Sequence, residues 1–207
     1  MAGRTFDLNE QGYRLRKTGI RPERHLVLIV CAGTTEEVYF NSYRVPYLTH
    51  EIHVHKSKSP DPENVVKCAL AWIKTLGVDV KDGDFAWCVF DVDQYTQENI
   101  RKARSLATQY GINTSQSNPC FEVWYLLHFN YIDVIMTPGE AETRLKGFIK
   151  GYVKTRNYSD KVKERLQTAL TNAKKLGEEN GQNNPSTQVY DLIYKLLEIH
   201  RNSGFIR

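Results

Sequence analysis

The sequence is poor in sulfur and has no long apolar run. Its 207 residues include two methionines and four cysteines, and Cys31, Cys68, Cys88 and Cys120 stand as widely spaced singles. With no C-x-x-C pair there is no disulfide framework to read, and reduced thiols in a cytosol are expected. No apolar segment approaches the roughly 20 residues needed to cross a bilayer. Residues 1–20 hold a basic stretch, YRLRKTG, without an apolar signal core, so neither a membrane span nor an export signal is expected and the location reads as cytoplasmic. A GxxxxGK[ST] loop is also missing, which ranks a phosphotransferase or nucleotide sensor last among the readings of this chain. Repeats and low-complexity segments are absent, and neither sign of charge dominates. The net charge is +4 with a pI near 8.8, which permits a polyanionic partner without demanding one.

What is present is an alternation. HLVLIVC is apolar and β-branched, as a strand buried on both faces must be. TTEEVYFNSYRV reads as a helix with Thr34 as N-cap and Glu37 completing a capping box. THEIHVHK alternates like a strand, and DPENVVKCALAWIKTLG carries Asp61 as cap, Pro62 in the first turn and Gly77 at its end. DFAWCVFDVD is a second buried strand, and TQENIRKARSLATQYG a helix between Thr96 and Gly111. INTSQSN reads as a short strand, and PCFEVWYLLHF as a helix with Pro119 at its first position. Strands separated by helices of this length imply a mostly parallel sheet. Beyond Asn130 the strand signal ends, and TPGEAETRLKGFIKGYV, SDKVKERLQTALTNAKKLGEEN and NPSTQVYDLIYKLLEIHRNS read as three helices, with GEENGQNNPST as an exposed loop. The expected organisation is a basic arm over residues 1–20, an α/β core over 21–130, and a helical C-terminal region over 131–207 packed on that core.

Three stretches offer chemistry. In FDVD, Asp91 and Asp93 lie two apart at a strand end, so extended backbone points both the same way. The carboxyl ends of parallel strands border the ligand crevice. Paired carboxylates there suit Mg²⁺ or Mn²⁺, and the bland alternative makes them turn and cap residues before Thr96. Glu36 and Glu37 open the first helix, where its dipole favours negative charge. Glu37 is spent on capping, and Glu36 is free to reach the crevice if the strands at His25 and Phe85 are neighbours. Glu122 opens the fourth helix, whereas His128, six residues on, falls on its far side and reads as a packed histidine. His50, His53 and His55 invite a zinc site, but only two share a face and no fourth ligand is near in sequence.

Taken together, VCAGTTEEVYF, CVFDVDQ, SNPCFEVWYLLHF and NPSTQVYDLI resemble the RloB-like family, in family order and from about Arg21 to the end. That resemblance implies a TOPRIM-type core, a small parallel sheet between helices, and an association with bacterial restriction and phage-defence loci. It also implies that the first strand ends in Glu-Gly, the glutamate being a metal ligand or acid/base residue. Here Ala32 stands before the expected Gly33. Glu36, Asp91 and Asp93 remain to hold metal, and Glu122 matches the acid of the family's Asn-Pro-x-x-Glu stretch. A carboxylate-to-methyl change keeps the backbone of the corner and reads as a designed inactivation; a lineage that has naturally lost catalysis is the alternative.

The activity so implied is a Mg²⁺- or Mn²⁺-dependent nuclease acting on RNA or DNA in an anti-phage system, inactive in this chain, with a partner such as an ATPase possible. The basic arm (Arg14, Arg16, Lys17, Arg21, Arg24) and the run RLKGFIKGYVKTRNYSDKVKERL would grip phosphates. Tyr39, Tyr43, Tyr95 and Trp124 are candidates to stack on unpaired bases, although aromatics so spaced more often belong to a core. A non-catalytic subunit binding nucleic acid or a partner is the competing reading.

Overall fold

Burial of HLVLIVC decides the architecture. In the computed structural model, which describes residues 25–44 and 50–202, this run forms β1 (His25–Cys31), inaccessible to solvent from Val27 onward. It lies inside a five-stranded sheet with β2 (His50–Lys56), β3 (Phe85–Asp91), β4 (Asn113–Asn118) and β5 (Ser186–Thr187), in the order β2-β1-β3-β4-β5. The first four strands run parallel, and β5 pairs antiparallel with β4. The fold is thus α/β, a mostly parallel sheet flanked by helices, as the alternation in the sequence predicts.

Each face of the sheet takes alternate residues of its strands. Leu28 and Val30 of β1, with Ala86, Cys88 and Phe90 of β3, meet α2 (Pro62–Leu76) and α3 (Gln97–Gln109). Both helices keep their expected punctuation. The Asp61 side chain accepts from the Asn64 N–H and Gly77 ends α2 at φ 71°, while Thr96 accepts from the Asn99 N–H. Val27, Ile29 and Cys31, with Trp87 and Val89, face the opposite way. They meet α1 (Thr34–Asn41), α4 (Glu122–Leu127), α5 (Pro138–Phe148), α7 (Leu166–Asn180) and α8 (Val189–Asn202). The larger cluster is on this side, with Trp124, Tyr39 and Tyr125 among its fully buried side chains.

Four expectations change. The N-cap of α1 is Gly33, with no side-chain cap. Thr34 Oγ1 instead accepts from Lys56 Nζ at 3.0 Å, so the capping box is not made. Helix α4 starts at Glu122, after the cis Asn118–Pro119 bond, rather than at Pro119. The middle C-terminal segment breaks into a short α6 (Ser159–Val162), a 3-10 turn and α7. The GEENGQNNPST stretch is no simple loop: its head is the end of α7, and Ser186 and Thr187 are a buried strand held by the Ser117–Thr187 hydroxyl pair at 2.9 Å. A two-residue strand carries too little pattern to be seen in sequence. Among the described residues, no helix is long and apolar enough to cross a membrane. The basic arm, Arg14 to Arg24, lies outside the described residues.

Candidate active site

The site begins with strand register. Cys31 lies opposite Val89 in the parallel β1–β3 pair, and the Ala32 N–H donates to Val89 O at 2.8 Å, carrying the ladder one residue past β1. The carboxyl ends of both strands therefore open on one pocket of about 290 Å³, whose walls include Ala32, Glu36, Asp91, Asp93 and Glu122. Positions spread over some ninety residues of sequence meet there because parallel strands put all their carboxyl ends on one edge.

Gly33 makes room for Glu36. A β-carbon at position 33 would stand 2.6 Å from Glu36 Oε2, so the carboxyl group folds back over the start of its own helix, into a place from which a larger residue at 33 would displace it. Glu36 is 3% exposed. Burial, followed by the charge of Glu122, pushes its carboxyl up to about 7, against backbone hydrogen bonds at Glu36 and Gly33 and the charge of Lys154, which favour the ionised form. Asp91 is raised well above the usual carboxylate range, by burial first and then by Glu36 and Glu122. Its Oδ1 is buried without a hydrogen-bond partner, a costly condition for an oxygen that takes no proton or cation.

Asp93 does not share this environment. Strand β3 ends at Asp91, and Asp93 is exposed at the rim, so the two aspartates are unequal members of the pocket rather than a matched pair. Glu122, 1% exposed, is the first residue of α4. Its Oε1 accepts from Tyr152 Oη at 3.0 Å and from Lys154 Nζ at 3.3 Å.

Lys154 and Tyr152 are the site residues that sequence reasoning missed. Both come from the segment between α5 and α6, where Lys154 is one base in a basic run and nothing local distinguishes it. Charge repulsion among Glu36, Asp91 and Glu122 calls for a cation, and Lys154 supplies one unit. Burial works against its charge, yet the charge and hydrogen bond of Glu122, with Cys120 and Asp91, together raise the Lys154 ammonium above its ordinary value.

Among the described residues, no three His, Cys, Asp or Glu side chains stand close enough to make a ready metal cage. The pocket's carboxylate oxygens are of the kind a hard divalent cation takes, and Asp91 Oδ1 among them is unpartnered; one residue past β1 the wall holds only the methyl group of Ala32.

Other candidates have different fates. The ring of His128 is fully buried, its Nδ1 lies 2.9 Å from Trp124 O, and burial pushes it down to about 4; it is a packed histidine, as its position in the helix predicts. His53 pairs with Glu51 at 3.0 Å and His55 stacks on Trp72 with ring centroids 3.6 Å apart, so the β2 histidines form no three-residue metal group. Tyr39 and Trp124 are buried in the core, and Tyr43 packs against it, which removes all three as surfaces for base stacking. Tyr95 alone of the four lines the pocket.

A protein-family model described as RloB-like protein matches residues 27–196 of the chain. Neither a curated protein nor a solved structure matches it.

Proposed function

The chain belongs to the RloB-like family, and from that premise we propose that its carboxylate pocket is the site of a Mg²⁺- or Mn²⁺-dependent nuclease, left incomplete by alanine at position 32. The observation that carries this reading is Asp91. The residue is half-buried at the carboxyl ends of parallel strands, its Oδ1 enclosed and unpartnered, and the charges of Glu36 and Glu122 act on its carboxyl group. Such an arrangement is unstable as three anions and becomes favourable around a cation.

Asp91 and Glu36 would hold the cation, with Asp93 reaching in from the rim. When bound, a divalent cation supplies charge neutralisation at a scissile phosphate and acidification of water. The protein's own residues do the rest. Gly33 lets Glu36 reach the pocket, and Tyr152 fixes the Glu122 carboxylate by a hydrogen bond. Glu36, raised to about 7, exchanges a proton near neutral pH while no cation is present. The proposed substrate is RNA or DNA, and the proposed setting an anti-phage system in the cytoplasm, with an ATPase as a possible partner.

The test compares this chain with Ala32→Glu and with Ala32→Glu carrying Asp91→Ala, on RNA and DNA with Mg²⁺ or Mn²⁺. Cleavage by Ala32→Glu alone supports the nuclease reading. Silence of the restored protein on every substrate removes it. Ala32 itself favours a second reading, a non-catalytic subunit that binds nucleic acid or a partner. Retained nucleic-acid binding by a restored but silent protein would support that alternative.

A further inference from the structure

Among the described residues lining the carboxylate pocket, Lys154 is the only base. Its ammonium lies 3.3 Å from Glu122 Oε1, yet its side chain is 50% exposed while that of Glu122 is 1% exposed. The lysine therefore reaches in from solvent toward a buried anion. The two residues that precede it are tied down. Tyr152 Oη donates to Glu122, and Tyr158 Oη accepts from the Val153 N–H at 2.8 Å. With half of its side chain exposed, the head group can turn outward by side-chain rotation alone.

One ammonium cannot satisfy this pocket. It contacts Glu122, and Asp91 Oδ1 remains unpartnered. Lys56, which does not itself line the pocket, donates from Nζ to Oγ1 of the lining residue Thr34 at 3.0 Å. One lysine thus lines the pocket and contacts a carboxylate, and a second, from a different element, bonds to a residue of its wall. That charge pattern suits a phosphodiester strand crossing the mouth with its phosphates toward the lysines.

Resting on the metal-nuclease reading, we infer that Lys154 is an exchangeable counter-ion. It neutralises Glu122 while the pocket holds no divalent cation, and on cation entry it turns outward to a phosphate oxygen of the nucleic acid. The exchange has a signature that a purely structural lysine lacks: removing the charge must move metal affinity and nucleic-acid affinity in opposite directions. Like charges near one another repel, so loss of the ammonium favours the metal. Loss of one phosphate contact weakens the nucleic acid and lowers its salt dependence.

The experiment uses the full chain with Mn²⁺ alone, and separately with labelled single-stranded RNA and DNA over a salt series. Lys154→Gln is expected to bind Mn²⁺ about tenfold more tightly. It should bind oligonucleotide more weakly, with the slope of log K against log salt smaller by about 1. Lys154→Arg, which keeps the charge, should retain both properties and shows that the position tolerates substitution. Lys56→Gln should weaken oligonucleotide binding and leave Mn²⁺ affinity unchanged. Unchanged or weaker Mn²⁺ binding by a folded Lys154→Gln overturns the exchange while leaving the metal site standing. Tighter Mn²⁺ binding with an unchanged salt slope overturns the phosphate half and so the exchange. Failure of both this chain and Ala32→Glu to bind Mn²⁺ overturns the metal reading, and the inference falls with it.

Discussion

Replacing Glu36 by glutamine should stabilise the protein, by an amount that depends on pH. The group's ordinary value of 4.5 is raised to about 7 in the folded chain, by burial first and then by Glu122. A carboxyl raised in this way binds its proton more tightly when folded than when unfolded. Its ionisation therefore erodes stability as pH rises from about 4.5 to about 7, and the loss is complete above that window. At about 1.4 kcal/mol for each tenfold change in the proton equilibrium, the full loss is ~3 kcal/mol, shrinking to about 1 kcal/mol at pH 5. Glu36→Gln removes the ionisation and keeps the size of the side chain. Its unfolding free energy in a urea titration should exceed that of the parent by up to ~3 kcal/mol at pH 8 and by about 1 kcal/mol at pH 5. At about 2–4 °C per kcal/mol for a chain of this length, the melting temperature at pH 8 should rise by up to roughly 6–12 °C. Saturating Mn²⁺ should narrow the gap at pH 8, because a cation stabilises the parent and not the amide. Equal stability of the two proteins at pH 8, or the same gain at both pH values, would refute the account of Glu36 as a buried, repelled carboxylate.

Gly33→Ala should shift the Glu36 carboxyl group, whose Oε2 stands 2.6 Å from the added carbon; because that atom ends a flexible side chain, the melting temperature should change little while Mn²⁺ affinity in a calorimetric titration falls. Tyr152→Phe deletes the 3.0 Å hydrogen bond to the buried Glu122 carboxyl and should cost about 1.5–3 kcal/mol in denaturant unfolding. His128, pushed down to about 4 by burial, stays neutral in the folded chain. Its contribution to stability is complete above about 6.5 and is lost as pH falls toward about 4, and its ring resonances in NMR should not titrate between pH 8 and 5. Trp124→Ala empties a fully buried position and should cost about 3–5 kcal/mol, a loss too large for a surface that stacks on bases.

Hydropathy and punctuation determined the elements that are long or strongly marked. Val27 to Cys31 could only be buried on both sides, and Asp61, Pro62 and Gly77 bound their helix in the sequence as they do in the fold. Parallel pairing then followed from strands separated by helices long enough to serve as crossovers. The nomination of Glu36, Asp91, Asp93 and Glu122 for one place rested on the same local signals, because strand ends and helix starts are visible in a single chain.

What the sequence could not contain is how those groups meet. Two-residue β5 has no period of its own and forms because β4 offers it an edge. Asp91 and Asp93 read alike in FDVD, yet burial separates them: one carboxyl is enclosed with an unpartnered oxygen and the other faces solvent. Tyr39 and Trp124 read in sequence either as core or as surfaces for bases, and the larger core decides by closing over them. Lys154 is one base in a basic run, and it becomes a member of the pocket only when the segment after α5 is carried back across the sheet's edge. Local pattern sets what each segment becomes, whereas desolvation and charge pairing act between segments and exist only once the chain has folded.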